Sequence, residues 1–137
     1  MQIRFLPILT VCVSATLMFS VSGCGSGDEK YRPSEARAKE ALNAALKAWQ
    51  DGQAHGTVST YSVPIDPYDA RWQAGETLEK FEVVRNEKVN DHNAFIVRMK
   101  LTDEKEEQEV TYIVIGNDPL MVFRKQDYDK VSGVGGG

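Results

Sequence analysis

Ala94-Phe95-Ile96-Val97-Arg98-Met99-Lys100-Leu101 is the stretch on which the fold turns. Phe95, Val97, Met99 and Leu101 take one set of alternate positions, and Ile96, Arg98 and Lys100 take the other. Successive side chains of an extended backbone point to opposite sides, so this stretch reads as a strand with one wholly apolar face. Outward from it, residues 77–86 carry Phe81 and Val83 in alternation, 109–115 are β-branched and aromatic, and 120–124 are short and apolar. Polar turns separate these runs at Asn90-Asp91, at 102–108 and at Gly116-Asn117-Asp118-Pro119. Connections this short predict antiparallel pairing in chain order, because a parallel crossover needs about a dozen residues or more.

Upstream the period changes. Ser34 is a helix N-cap, followed by Glu35 where the helix dipole favours an acid. Ala38, Leu42, Ala45, Leu46 and Trp49 then recur at helical spacing, Arg37, Lys39, Glu40, Asn43 and Lys47 fill the other face, and Gly52 ends the element. One apolar stripe calls for a sheet to cover. Between 53 and 63 the pattern is poor: His55-Gly56-Thr57 is turn-like and Tyr61 could begin a short extended piece. Asp66-Pro67-Tyr68-Asp69 then has the form of an N-cap, a proline at the first helical position and an acid at the third, predicting a short second helix through about Gln73, closed by Gly75. The expectation is an α+β domain over 34–128, with the N-terminal helix packed on a four-stranded antiparallel meander.

That element order resembles the cystatin-like and NTF2-like group of folds, in which an N-terminal helix lies on a curved antiparallel sheet. The resemblance implies two alternatives for function: an NTF2-like small-molecule-binding enzyme with a His or Asp base inside the cone, or a cystatin-like protease inhibitor. The Gln-x-Val-x-Gly loop expected of an inhibitory cystatin does not occur.

The N-terminus carries a different signal. Met1–Arg4 is a short positive segment, and 5–19 form an apolar run free of charge, the shape of an export signal and too short to span a bilayer. Val21-Ser22-Gly23-Cys24 follows and resembles the lipobox of bacterial lipoproteins. The resemblance implies removal of residues 1–23, a diacylglyceryl group on the Cys24 thiol and acylation of the new amino terminus. Two or three acyl chains, at about 0.8 kcal/mol per buried methylene, make a stable anchor where one would not. The expected location is the cell envelope, with the domain lipid-anchored on the extracytoplasmic face. Gly25 and Ser26, in place of an Asp, resemble lipoproteins passed to an outer membrane where the cell has one. Residues 24–33 read as a flexible tether, and 129–137, rich in glycine, as a disordered tail.

Net charge is -4, with Arg4 the only charged side chain before Cys24. Without a clustered Lys/Arg face, no nucleic-acid partner is expected. The other cysteine, Cys12, lies in the leader, so the mature chain has no thiol pair to oxidise. No His-x-x-x-His, calcium-loop or Gly-x-Ser-x-Gly pattern is present, and neither metal nor cofactor is expected. His55 and His92, the two histidines, both fall in turn-like stretches and read as solvated. Trp49, Tyr61, Tyr68, Trp72 and Phe81 form the candidate ligand pocket, with Asp66, Asp69 and Arg71 at its rim, although an aromatic group of this kind is more simply core. The charge run 103–107 and Glu79, Lys80, Arg85, Arg98 and Lys100 read as solvent-facing. The expected role is a small non-enzymatic binding or interaction domain, held to membrane lipid through Cys24 and facing an envelope protein.

Overall fold

Helix α1, Glu35–Gln50, begins and ends on local chemistry. The Ser34 hydroxyl accepts from the Arg37 amide at 3.2 Å. At the other end Gly52 takes φ 91°, and the amides of Gly52 and Gln53 donate to the carbonyls of Trp49 and Ala48. This is the paired-bond C-cap that a left-handed glycine permits. The computed structural model describes residues 31–133. The leader, Cys24, the tether up to residue 30 and residues 134–137 lie outside the described residues.

Five strands form one mixed sheet in the order β1-β5-β4-β3-β2: β1 (Ile65–Tyr68), β2 (Leu78–Val89), β3 (His92–Leu101), β4 (Gln108–Gly116) and β5 (Leu120–Arg124). Strands β2 to β5 pair antiparallel in chain order, and β1 joins β5 in parallel, Ile65 opposite Leu120. The sheet is therefore five-stranded and mixed, which corrects the four-stranded antiparallel expectation. The difference lies in Ile65-Asp66-Pro67-Tyr68. Read locally, Asp66 and Pro67 mimic a helix start, yet a strand at the edge of a sheet tolerates a proline that cannot donate to a ladder. The cap moves to Asp69, whose carboxylate accepts from the amides of Arg71 and Trp72 ahead of the one-turn helix α2, Ala70–Gln73.

The β2-β3 hairpin turns on two residues, Asn90 at φ 49° and Asp91 at φ 64°. Two left-handed residues in succession match the right-handed twist of the flanking strands, and Asn and Asp tolerate that backbone better than other non-glycine residues. In β4 to β5, Gly116 sits at φ 87°, and a Cβ there would lie 2.6 Å from the Pro119 carbonyl oxygen.

The sheet buries both faces. On one, α1 lays Ala38, Ala41, Leu42, Ala45, Leu46 and Trp49 against Leu78, Phe95, Val97, Met99, Leu101, Val110, Tyr112 and Val114. The alanines let the helix approach the sheet closely, and each fully buried leucine contributes roughly 1.5–3 kcal/mol. On the other, Ala94, Ile113 and Phe123 pack with Val89, Ile115, Met121 and Tyr128. Tyr128 comes from a third helix, α3, Lys125–Ser132. This helix corrects the expected boundary of the tail: residues 129–132 are helical, and Gly133 caps them at φ 71°.

The chain arrives at one pole of the domain. There Pro33 O accepts from Asn93 Nδ2 at 2.7 Å, and Arg37 Nη2 donates to Asn117 O at 2.9 Å. The last turn of α1, helix α2 and the loop 102–107 occupy the opposite pole, where Trp49 Nε1 donates to Glu76 O at 2.7 Å. No helix among the described residues is long and apolar enough to cross a membrane.

Candidate functional site

The five aromatic residues singled out in the sequence do not form one pocket. Trp49, at the end of α1, and Trp72, on α2, stack with centroids 5.4 Å apart and planes 7° from parallel. Both are buried, and Tyr61 and Phe81 pack from the side against the same core. Tyr68 is on the other face of the sheet, stacked on Phe123 at 4.4 Å. The reason is the strand β1: its period of two sends Ile65 and Pro67 inward and Tyr68 out, where a helix would have carried Tyr68 elsewhere.

Above the two indoles lies an open groove of about 490 Å³, lined by Gln53, Ala54, His55, Gln73, Glu76 and Thr77. Trp49 and Trp72 form its floor by their edges only, being 2% and 3% exposed. Neither indole N–H is free to meet a ligand, because Trp72 Nε1 donates to Gln53 O at 2.9 Å and Trp49 Nε1 is held by Glu76. His55 stands edge-on to Trp72 with centroids 5.7 Å apart, its Nε2 3.0 Å from Pro67 O. His92 lies on the other face of the sheet, edge-on to Tyr128. The two histidines are thus on different faces of the sheet, and His55 shares the lining of the groove with Glu76.

The polar centre that sequence reading missed is inside the fold. Asp69, Tyr112 and Arg124 are all buried. Asp69 Oδ2 accepts from Tyr112 Oη at 2.5 Å, and Oδ1 accepts from Arg124 Nε at 3.1 Å and from the Arg71 and Trp72 amides. The guanidinium also lies 5.8 Å from the centre of the Tyr112 ring, with Nη2 3.6 Å from Met99 Sδ. Burial pushes the Tyr112 hydroxyl well above its usual range, and the Asp69 charge beside it adds to the effect. Asp69 was expected at a pocket rim, but the residue is sealed and every contact is internal. It clamps the β1-α2 connection onto β4 and β5.

Arg71, also expected at a rim, ties the far pole together. Its guanidinium pairs with Glu76 through Nε and Nη2, and Nη2 reaches Glu104 Oε1 at 2.8 Å. Hydrogen bonding to Glu76 raises the Arg71 pKa further and in turn lowers that of Glu76. Asp66 accepts from Thr57 Oγ1 at 2.7 Å. Tyr61 donates to Glu40 Oε2 at 2.8 Å, and that bond raises its pKa.

No group of three or more His, Cys, Asp or Glu side chains placed to hold a metal occurs among the described residues. Chemically, the groove offers the His55 imidazole and a Glu76 carboxylate already paired with Arg71, and the buried centre offers a saturated carboxylate. No protein-family model, curated protein or solved structure matches the chain.

Proposed function

We propose that this chain is a lipid-anchored protein of the cell envelope whose domain is a non-enzymatic binding or interaction module. The observation that carries the reading is Val21-Ser22-Gly23-Cys24 behind a charge-free apolar run, the pattern at which lipoproteins are cut and acylated. The described architecture is consistent with such a tether. The chain from Cys24 would reach the domain at the pole carrying Asn93 and Asn117. Six residues lie between Cys24 and Tyr31, so the seven steps from one to the other span at most about 25 Å. The groove beside His55 and the acidic loop would then point away from the bilayer.

The filled interior supports binding at the surface over chemistry inside. The stacked indoles have both N–H groups engaged within the fold, so they offer no donor to a small molecule. As a finer fold assignment, we place the helix-on-meander unit in the cystatin-like and NTF2-like group, extended by the parallel strand β1. The partner in this reading is an envelope protein, with membrane lipid holding Cys24.

Replacing Cys24 with alanine tests the anchor. The wild-type product should have the mass of residues 24–137 plus lipid and should sediment with membranes. Cys24→Ala should carry no lipid mass and leave the washed membrane fraction. An unmodified thiol on the wild-type chain, or a leader still attached, would overturn the reading.

A further inference from the structure

We propose that the outer edge of β2 is a docking surface for a second copy of this chain, joined antiparallel to its own equivalent across a two-fold axis. Strand β2, Leu78–Val89, is the end strand of the sheet and the longest in the domain at 12 residues. An end strand leaves a row of backbone donors and acceptors unpaired, which makes it a template for another strand.

The charges on this edge are ordered for one pairing. Lys80 lies opposite Lys100, Glu82 opposite Arg98, Arg85 opposite Ile96 and Glu87 opposite Ala94, so all four point away from α1 on one face. Between Val83, opposite Val97, and Arg85 the register shifts, and Val84 is the extra residue. Without that bulge Glu82 and Arg85 would point to opposite faces. With it, one face of β2 reads positive, negative, positive, negative.

A second copy running antiparallel about the point between Val83 and Val84 meets this series in reverse. Lys80 then faces Glu87 of the other copy and Glu82 faces its Arg85, and symmetry repeats both pairs. On the α1 side Phe81 faces Asn86. Both strands carry the bulge at the axis, so the register holds across it. A slip of one rung sets Lys80 against Arg85 and Glu82 against Glu82, or Arg85 against Arg85 and Glu82 against Glu87. A parallel arrangement in register sets every charge against itself. Like charges directly opposite destabilise a pair of strands, so the pattern selects a single register.

The four side chains are accessible, between 42% and 71% exposed. Their partners within the chain are Glu107, Arg98 and Glu109 on the β3 and β4 side, together with one pair along β2 itself, Arg85 Nε to Glu87 Oε1 at 3.5 Å, so the flank beyond β2 stays open. Such exposed pairs are weak, and they hold the charged groups at the edge without neutralising the series. The contact is isologous, using the same patch on both copies, and therefore closes at two.

Sedimentation equilibrium of the full chain as its host produces it, in density-matched detergent, tests the proposal. The wild type should reach a reversible monomer–dimer equilibrium. Glu82→Arg should raise the dimer dissociation constant about 30-fold, since each reversal replaces two attractions by two repulsions. Arg85→Glu should do the same, and the double variant should return to within a few-fold of the wild type. That rescue is specific to pairing between copies, because the exchange breaks the internal pairs of Glu82 to Arg98 and of Arg85 to Glu109 and Glu87. If either single variant fails to fold, Lys80→Glu, Glu87→Lys and their combination repeat the test. A wild type that stays monomeric, a dimer indifferent to the reversals, or a double variant as weak as the singles would overturn the proposal.

Discussion

Removing the charge of Asp69 while keeping its shape should cost this domain a large part of its stability. In Asp69→Asn the amide oxygen can still cap α2 through the Arg71 and Trp72 amides, so the helix start survives. What is lost is the counter-charge of Arg124, whose side chain is 6% exposed against 3% for Asp69. A buried cation without its partner costs about 3–5 kcal/mol, and domains of this size have roughly 5–15 kcal/mol in total. The value should fall at the lower end, about 3 kcal/mol, because Tyr112 and Met99 still surround the guanidinium. With a slope of about 1.5 kcal/mol per molar urea, the unfolding midpoint moves down by about 2 M. Arg124→Met should be milder, about 2 kcal/mol, since three donors to Asp69 remain. The double variant buries neither charge and should lie above Asp69→Asn alone, a coupling of about 2–3 kcal/mol. Urea unfolding followed by far-ultraviolet circular dichroism measures all four corners of this cycle. A loss under about 1 kcal/mol in Asp69→Asn, or simple additivity, would refute the claim that the pair clamps β1 and α2 to the sheet.

Tyr112 sets an alkaline limit. Its folded pKa is raised above the ordinary 10.0, so the stability it lends is complete below that pH and is lost as the unfolded chain ionises above it. Tyr112→Phe should flatten the pH dependence above pH 10 by up to about 1.4 kcal/mol per pH unit, read from urea midpoints at a series of alkaline pH values. Gly116→Ala should destabilise by about 2–4 kcal/mol, combining a left-handed backbone with a Cβ 2.6 Å from the Pro119 carbonyl, and a thermal melt within a degree of the wild type would contradict that.

What could be read from the sequence was whatever is written locally. Helix α1 announces itself because Ser34, the Ala38-to-Trp49 stripe and Gly52 lie within one short segment. Strand β3 does so through its alternation, since one face meets α1 and the other carries Arg98 and Lys100 beyond the buried Ala94 and Ile96. Strand β1 is hidden because four residues, two of them shared with helix-start chemistry, cannot display a period. Helix α3 is hidden for another reason: Lys125–Ser132 is polar nearly all round and holds on mainly through Tyr128, though Gly133 was a visible stop signal. The Asp69–Arg124 pair spans 55 positions of sequence, and no local pattern carries such a separation. Its one trace was an arginine closing the apolar run Leu120–Arg124. The aromatic group was read as one set because composition shows which rings exist, while the parity of β1 decides that Tyr68 turns away from the rest.

The stacked indoles have an optical consequence. Trp49 and Trp72 are the chain's two tryptophans, so emission excited beyond the tyrosine absorption band originates from one end of the domain. Both fluorophores are dry and in contact, and they should emit at short wavelength until water reaches α2. Loosening that begins at the far hairpins would leave the spectrum dark to it, which makes this protein a reporter on a single seam.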